Sequence, residues 1–284
     1  MTDELTVIIV ALLGGEATEQ CLDAVRPQAE NVLIVERDGT IVNLMGSVVG
    51  RSAVCSIPAK RREAVAAAQT RIVALIENTV IPDAGWVAAI MRTLASSDVV
   101  ACGGPVRVSS GLPPATRALV LSEYGTFGED AVAGGALALP GCNFAFRRDA
   151  LCQAMDGTHG LVDRDVFRAL TERGGKIMWA TDMSVIFAHP FPDGARLRTR
   201  FDHGRLYASS GAFRLTATRR AVVAAKALLL PLVLTFRSLS ASDRTHRRSP
   251  TLIGWLLLQN IAWAAGEFAG ALAGPPRDGF AKWN

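Results

Sequence analysis

The feature that most constrains this chain is the run Leu5–Leu13, built of aliphatic and β-branched residues and stopped by Gly14-Gly15. A strand with one wet face alternates polar and apolar residues. A strand without that alternation belongs inside a parallel sheet that helices cover on both sides. Shorter runs of the same kind recur. Asn31–Val35 ends in Glu36-Arg37-Asp38-Gly39, Arg71–Ile76 ends in Glu77-Asn78-Thr79, and Val99–Val108 forms a fourth run. Helical spacing fills the gaps: Cys21, Leu22 and Val25 within 18–28, and an Ala-rich stretch over 59–70 headed by Lys60, Arg61 and Arg62. Pro82-Asp83-Ala84-Gly85-Trp86 supplies the start signal of a third helix. Strands alternating with helices predict an α/β fold around a largely parallel sheet. Beyond it, residues 109–140 read as a long loop, Phe144–Phe146 as a short strand, and Asp163–Arg173 as a helix stopped at Gly174-Gly175. Lys176–Ala180 and Ser184–Phe187 complete the strands.

The remaining sequence narrows the class of protein. Half of the 284 residues are hydrophobic, enough for a sizeable core, and the formal net charge is +4. So mild a charge is no nucleic-acid footprint. The five cysteines include no C-x-x-C pair, so neither a disulfide framework nor a zinc site is expected, and a reducing compartment is. Neither a G-x-x-x-x-G-K-[ST] loop nor a G-x-G-x-x-G fingerprint is present. The acidic start Thr2-Asp3-Glu4 lacks the positive region of a signal peptide, so Leu5–Leu13 reads as a buried strand. After residue 215 the character changes. Ala221–Phe236 and Leu252–Ala273 are mostly apolar and enclose an Arg-rich loop with Arg237, Arg244, His246, Arg247 and Arg248. The expected organisation is a catalytic-type domain over 1–215 and a helical appendage over 216–284. The appendage has three readings: a transmembrane hairpin, interfacial or re-entrant helices, or burial against the first domain. A hairpin would send the arginines outside, against the positive-inside rule, whereas interfacial helices would place them at anionic headgroups.

In an open α/β sheet, ligands bind beyond the carboxyl ends of the strands. Glu36 and Asp38, then Glu77, Asn78 and Thr79, fall at such ends, and Asp163 and Asp165 head a later helix. A nucleotide diphosphate needs base and ribose contacts, charge compensation, and a base for the acceptor. Asp163 also has a plain alternative, since Asp is a favoured helix cap.

The stretch A-K-R-R-E-A-V-A-A-A-Q-T-R-I-V-A-L-I-E-N-T-V-I-P-D-A-G-W over 59–86 resembles the centre of a family 2 glycosyltransferase: an Arg-bearing helix, a buried strand, a D-x-D-type motif, then Pro and Gly-Trp. Gly141-Cys142-Asn143-Phe144-Ala145-Phe146-Arg147-Arg148-Asp149 resembles the acceptor-side segment of that family. Val162-Asp163-Arg164-Asp165-Val166, followed by Leu170 and Gly174, is similar to its E-D-x-x-L…G segment. The resemblance covers about residues 5–210. It implies a GT-A fold, that is, a Rossmann-like mixed sheet with flanking helices, carrying C-terminal apolar membrane-associated helices. It further implies inverting transfer of one sugar from a nucleotide-sugar donor to a lipid-linked or membrane-proximal acceptor, at the cytoplasmic face of an anionic membrane and with no nucleic-acid partner. The Q-x-x-R-W segment of processive synthases is absent, which favours a single transfer.

Carried over residue by residue, Glu36 would contact the base or ribose. Glu77 would hold the first acidic position of the motif, with Asn78 and Thr79 beside it, and His189 would lie near the diphosphate. Asp163 would be the general base, and Gly141 and Asn143 would face the acceptor. Thr79 stands where the family has its metal-binding Asp, and Val162 replaces an acidic residue. Thr is a weak ligand for Mg²⁺ or Mn²⁺, so no metal ligand is assigned. Arg205, among Arg196, Arg198 and Arg200, is a candidate to neutralise the diphosphate instead. The competing reading is a non-catalytic, glycosyltransferase-like scaffold of a membrane glycan-assembly system, which the two departures favour.

Overall fold

The computed structural model describes residues 4–274 except 55, 130–131, 159, 192, 213–215 and 241–248, and leaves the side chains of 193–196, 210–212 and 219 undescribed. The Arg-rich loop with Arg244, His246, Arg247 and Arg248 therefore lies outside the described residues, as does the side chain of Arg196.

The expected alternation is present. β1 (Leu5–Val10), β2 (Asn31–Val35) and β5 (Ile72–Glu77) run parallel, with β1 in the middle, and β1 and β5 are buried along their whole length. Val10 pairs with both Val35 and Glu77, so the three carboxyl ends are level and Glu36 and Glu77 emerge at one edge of the sheet. Between these strands run α1 (Gly15–Val25) and α2 (Ile57–Ala67). The hairpin β3 (Thr40–Asn43) and β4 (Val48–Arg51), which the sequence reading did not single out, extends the sheet beyond β2. β10 (Asn143–Arg147) lies antiparallel between β5 and β7 (Val99–Gly103). Because it runs the opposite way, its start brings Gly141 to the edge where Glu77 ends. β11 (Lys176–Trp179) and β9 (Gly134–Gly135) complete the nine-stranded mixed sheet.

The sheet's main core joins strands to helices. Phe144 and Phe146 of β10 are fully buried and meet Phe167 of α6 (Asp163–Glu172), with Phe146 and Phe167 stacked at 6.1 Å. Val166, Phe167 and Leu170 form the buried stripe of α6, and Gly174 ends it at φ 82°. That left-handed turn costs glycine little.

Two expectations are corrected. The run Val99–Val108 is two strands in different sheets: β7 ends at Gly103, and β8 (Val106–Val108) joins a three-stranded sheet with β6 (Val80–Pro82) and β12 (Val185–Phe187). The chain turns at Gly104, where a Cβ would run into the Met183 and Ala180 carbonyls. Second, the expected loop over 109–140 contains α4 (Pro114–Tyr124). Its buried residues Ala115, Thr116, Ala118, Leu119, Val120 and Leu121 circle the helix, so no apolar stripe marked it in the sequence.

Contacts divide the chain into two compact units, one of 1–109 with 127–189 and one of 110–126 with 190–284. The first holds every strand, together with α1, α2, α3 (Trp86–Thr93), α5 (Arg148–Ala154) and α6. The second holds α4, α7 (Asp193–Ala212), α8 (Ala217–Ala227), α9 (Leu230–Ser240) and α10 (Pro250–Ala273). Within it, α7 and α10 meet backbone to backbone. A Cβ on Gly204 would strike the Trp263 carbonyl, and one on Gly266 or Gly270 would strike those of Phe201 or Arg205. Among the described residues no single helix is long and apolar enough to cross a membrane, although Arg220–Ala227 and Leu230–Ser240 qualify together as a pair bent by 57°.

Candidate functional site

The site starts with a local oddity. Basic side chains near the start of a helix oppose its dipole, yet α2 carries Lys60 at the end of its first turn and Arg61 and Arg62 in its second, after a Ser56 cap that accepts from the Ala59 amide. Each has a specific partner. Lys60 Nζ donates to the Arg37 carbonyl at 2.6 Å, tying α2 to the loop after β2, and Arg62 donates to the Thr158 carbonyl. Arg61 is 6% exposed and gathers the candidate site. Its Nη2 donates to Glu77 Oε1 at 2.7 Å and to the Gly141 carbonyl at 2.7 Å, and its Nη1 donates to Asp163 Oδ1 at 3.2 Å. The guanidinium carbon lies 5.3 Å from the Phe144 ring centroid.

Glu77, Asp163 and Gly141, three residues predicted from separate motifs, thus converge on one buried cation. Sequence reasoning gave Arg61 no role, although three consecutive basic residues near the start of an Ala-rich helix were its signal. Gly141 leaves room for the carboxylate: a Cβ there would come within 2.5 Å of Asp163 Oδ2 and would push that side chain from its place. Asp163 is not the cap of α6, because Val162 holds that position and the Asp163 carboxylate turns to Arg61. Asp165 faces the arginines of its own helix, with Arg168 Nη2 at 3.2 Å. The protein packed around Asp163 raises its pKa above the ordinary 3.8 by desolvation, and Arg61 pulls the other way. Its side chain still keeps 35% exposure, so the carboxylate is reachable.

The other expected residues sort into open groups and braces. Glu36 is exposed at the end of β2, in a turn closed by its own backbone with Thr40 and Gly39. Asp38 holds that turn, accepting from the Thr40 amide and hydroxyl at 2.9 Å each. Asn78 is a brace: its Oδ1 accepts from the Leu12 and Leu13 amides and its Nδ2 donates to Thr18 Oγ1, fixing the β1–α1 turn. Asn143, expected on the acceptor side, is also a brace. It is fully buried, with Oδ1 accepting from Trp86 Nε1 at 2.8 Å and Nδ2 donating to the Met183 carbonyl at 2.7 Å. Both side-chain amides are engaged within the protein, by backbone groups and by the Trp86 and Thr18 side chains.

Thr79 and His189 form a second small group. The Thr79 carbonyl accepts from the Ala188 amide at 3.0 Å and the His189 amide at 3.4 Å, joining the ends of β5 and β12. Thr79 Oγ1 and His189 Nε2 are buried and make no hydrogen bond among the described residues. Burial lowers the His189 pKa below 6.5, against an upward pull from Glu16, so the imidazole is neutral near pH 7. The candidate cations lie in the second unit. There Arg205 Nε donates to the Gly274 carbonyl, Arg198 pairs with Asp202, and Arg200 pairs with Glu123.

No protein-family model matches the chain, and no curated protein matches it. Solved structures do. The mannosyltransferase PcManGT from Pyrobaculum calidifontis, in complex with GDP-Man and Mn²⁺, aligns at TM-score 0.56 with 16% identity, over 92% of this chain and 85% of that one. The fold is of the GT-A type. A glucosyl-3-phosphoglycerate synthase from Mycobacterium tuberculosis, in complex with Mn²⁺, UDP-glucose and phosphoglyceric acid, aligns at TM-score 0.42 and 15% identity, over 68% and 74%.

A divalent cation beside a nucleotide diphosphate takes one or two carboxylates and otherwise phosphate oxygens and waters. Here Glu77 is held by Arg61, position 79 offers a hydroxyl in place of a carboxylate, and among the described residues no group of three or more His, Cys, Asp or Glu converges.

Proposed function

We propose that this protein is a glycosyltransferase that moves a single sugar from a nucleotide-sugar donor to a lipid-linked or membrane-proximal acceptor, with inversion, at the cytoplasmic face of a membrane. The observation that carries this reading is the convergence of Glu77, Asp163 and Gly141 on Arg61 at the carboxyl edge of the sheet, where open α/β folds bind ligands. The GT-A likeness to a structure holding GDP-Man supports it.

The acceptor hydroxyl attacks the anomeric carbon, the bond to the nucleotide diphosphate breaks with both electrons leaving on the phosphate, and Asp163 takes the hydroxyl proton. Asp163 suits this task because its carboxylate is anchored from behind by Arg61 yet one-third open, and its raised pKa makes it a better proton acceptor than an ordinary Asp. Thr79 Oγ1 and His189 Nε2 are buried polar atoms that a diphosphate oxygen would satisfy, and Glu36 is free to reach the base or ribose.

The decisive experiment is transfer and hydrolysis across a panel of nucleotide sugars, with and without chelator. The expected result is turnover of one donor, little changed by EDTA, and lost in Asp163→Asn with nucleotide-diphosphate binding retained. Binding restored only by Mn²⁺ after chelation would overturn the metal-free reading. The scaffold reading has one observation of its own, that Arg61 pairs with both carboxylates; donor binding without turnover of any donor would favour it.

A further inference from the structure

Helix α9 carries its polarity the wrong way round for water. On α9 the buried residues are Thr235 and Ser238, while Leu232, Val233 and Phe236 are 67%, 56% and 74% exposed. At the α8–α9 elbow, Leu228 and Leu229 are 71% and 65% exposed. The long helix α10 mixes the two: Leu252 and Leu256 are buried in the ordinary way, but Gln259 and Asn260 are fully buried beside them, small Gly266 and Gly270 face the helix contact, and Leu258 and Ile261 face outward. The interior is held by polar bonds across helices. Asn260 Nδ2 donates to Thr235 Oγ1 at 3.0 Å, its Oδ1 lies 2.8 Å from Ser122 Oγ, and Gln259 Nε2 donates to the Ala115 carbonyl at 2.9 Å. Small residues and polar side chains between helices, with large apolar ones outside, is how helices pack in lipid, where burying leucine gains nothing.

We propose that the bent pair α8–α9 is the membrane-inserting element of this protein. Leu228, Leu229, Leu232, Val233 and Phe236 enter the acyl boundary of an anionic bilayer, and Lys226 and Arg237 lie at its headgroups. This rests on the membrane-proximal location proposed above and assigns its contact face. The occupant is lipid, and anionic lipid in particular, because of charge: residues 216–248 contain seven Arg or Lys against one Asp. Lys226 and Arg237 are exposed on the two helices themselves. An amphipathic element with an apolar wedge flanked by cations binds such a surface through both parts. The bend of 57° suits a wedge that enters and returns, not a straight span.

The test is flotation of the full chain with phosphatidylcholine vesicles and with vesicles containing a third phosphatidylglycerol. The wild type should float with the anionic vesicles and much less with the neutral ones. Leu232→Glu/Phe236→Glu should cut the floating fraction at least tenfold, while Lys226→Gln/Arg237→Gln should weaken only the anionic preference. Both substitutions sit on the exposed face, so circular dichroism and nucleotide-diphosphate binding should match wild type. Phe236→Trp should gain a fluorescence component quenched by lipids brominated on the acyl chain. Undiminished flotation of the double-Glu variant, or no quenching of Phe236→Trp, overturns the proposal. So does a double-Glu variant that only turns a dimer into a monomer, since the face would then serve a second copy of the chain. Failure of glycosyl transfer with vesicle results as expected would remove the enzymatic reading and leave this one standing.

Discussion

The two compact units differ in what they bury beside their apolar residues. In the sheet unit the interior is Ile, Val, Leu and Phe, and its most deeply placed charges collect at one spot around Arg61. In the helical unit Arg200, Asn260, Gln259 and Thr235 are inside together with Leu206, Leu252 and Leu256, and Leu232 and Phe236 are outside. Arg200 shows the difference well: 3% exposed, it binds Glu123 and Ser122 and lies 4.5 Å from the Trp263 ring centroid. Water rewards apolar burial, so polar groups inside a water-facing unit need a purpose. Where the outside is apolar, polar groups move inward to find partners. The lesson is that a buried polar group can gather a site in one unit and bridge helices in the other.

The contrast can be broken most forcefully at Arg61. Arg61→Leu leaves Glu77 buried without its cation, and breaking such a pair costs about 3–5 kcal/mol. The urea midpoint should fall accordingly, with turnover lost. A variant of normal stability would make Arg61 a surface ornament and dissolve the site. Next in size, Asp163→Asn should lower turnover by about 10²–10⁴ while nucleotide-diphosphate affinity and melting temperature stay near wild type. Asp165→Asn, facing Arg168 instead, should do far less. If the two swap roles, the base sits two residues further along α6.

Asn260→Leu sharpens the other side. In the helical unit this removes a polar bridge, and interhelical bonds of this kind are worth about 0.6–2 kcal/mol in lipid. A midpoint shift of that size in detergent is expected, and a loss as large as that of Arg61→Leu would mean the helical unit has a water-type core. The smallest effect is on pH. Folding raises the Asp163 pKa, so this group's contribution to stability is complete below 3.8 and is lost as pH rises through the folded value, the same interval over which the base becomes active. His189 is shifted down, so its contribution is present above 6.5 and is lost as pH falls through its folded value. The acid limb of kcat/KM should therefore lie above that of an ordinary Asp and should vanish in Asp163→Asn. A limb unchanged in Asp163→Asn would assign it to another group.

Much was written locally. The runs that became β1, β2 and β5, the stripe of α6 and its glycine stop, and the acidic residues at strand ends all rest on spacing within a dozen residues, which is the range over which strand and helix periods act. Glu77 and Asp163 could be named for that reason. What failed in the sequence needed distance. Val99–Val108 is one apolar run, but Gly104 divides it only because Met183 packs there. Helix α4 has no stripe because other helices surround it. That Asn143 and Asn78 brace turns inside the protein was not legible either, because a side-chain amide carries no local mark of its partner.

The sequence by itself determined the alternating elements, their order and which carboxylates fall at the ends of strands, because each depends on neighbours in the chain. Only the tertiary structure decided that Arg61 reaches Glu77 sixteen residues away and Asp163 a hundred and two away. It alone also decided that α9 turns Thr235 inward and Phe236 outward. A helix pattern states which residues share a face; which face meets protein is fixed by what packs against it.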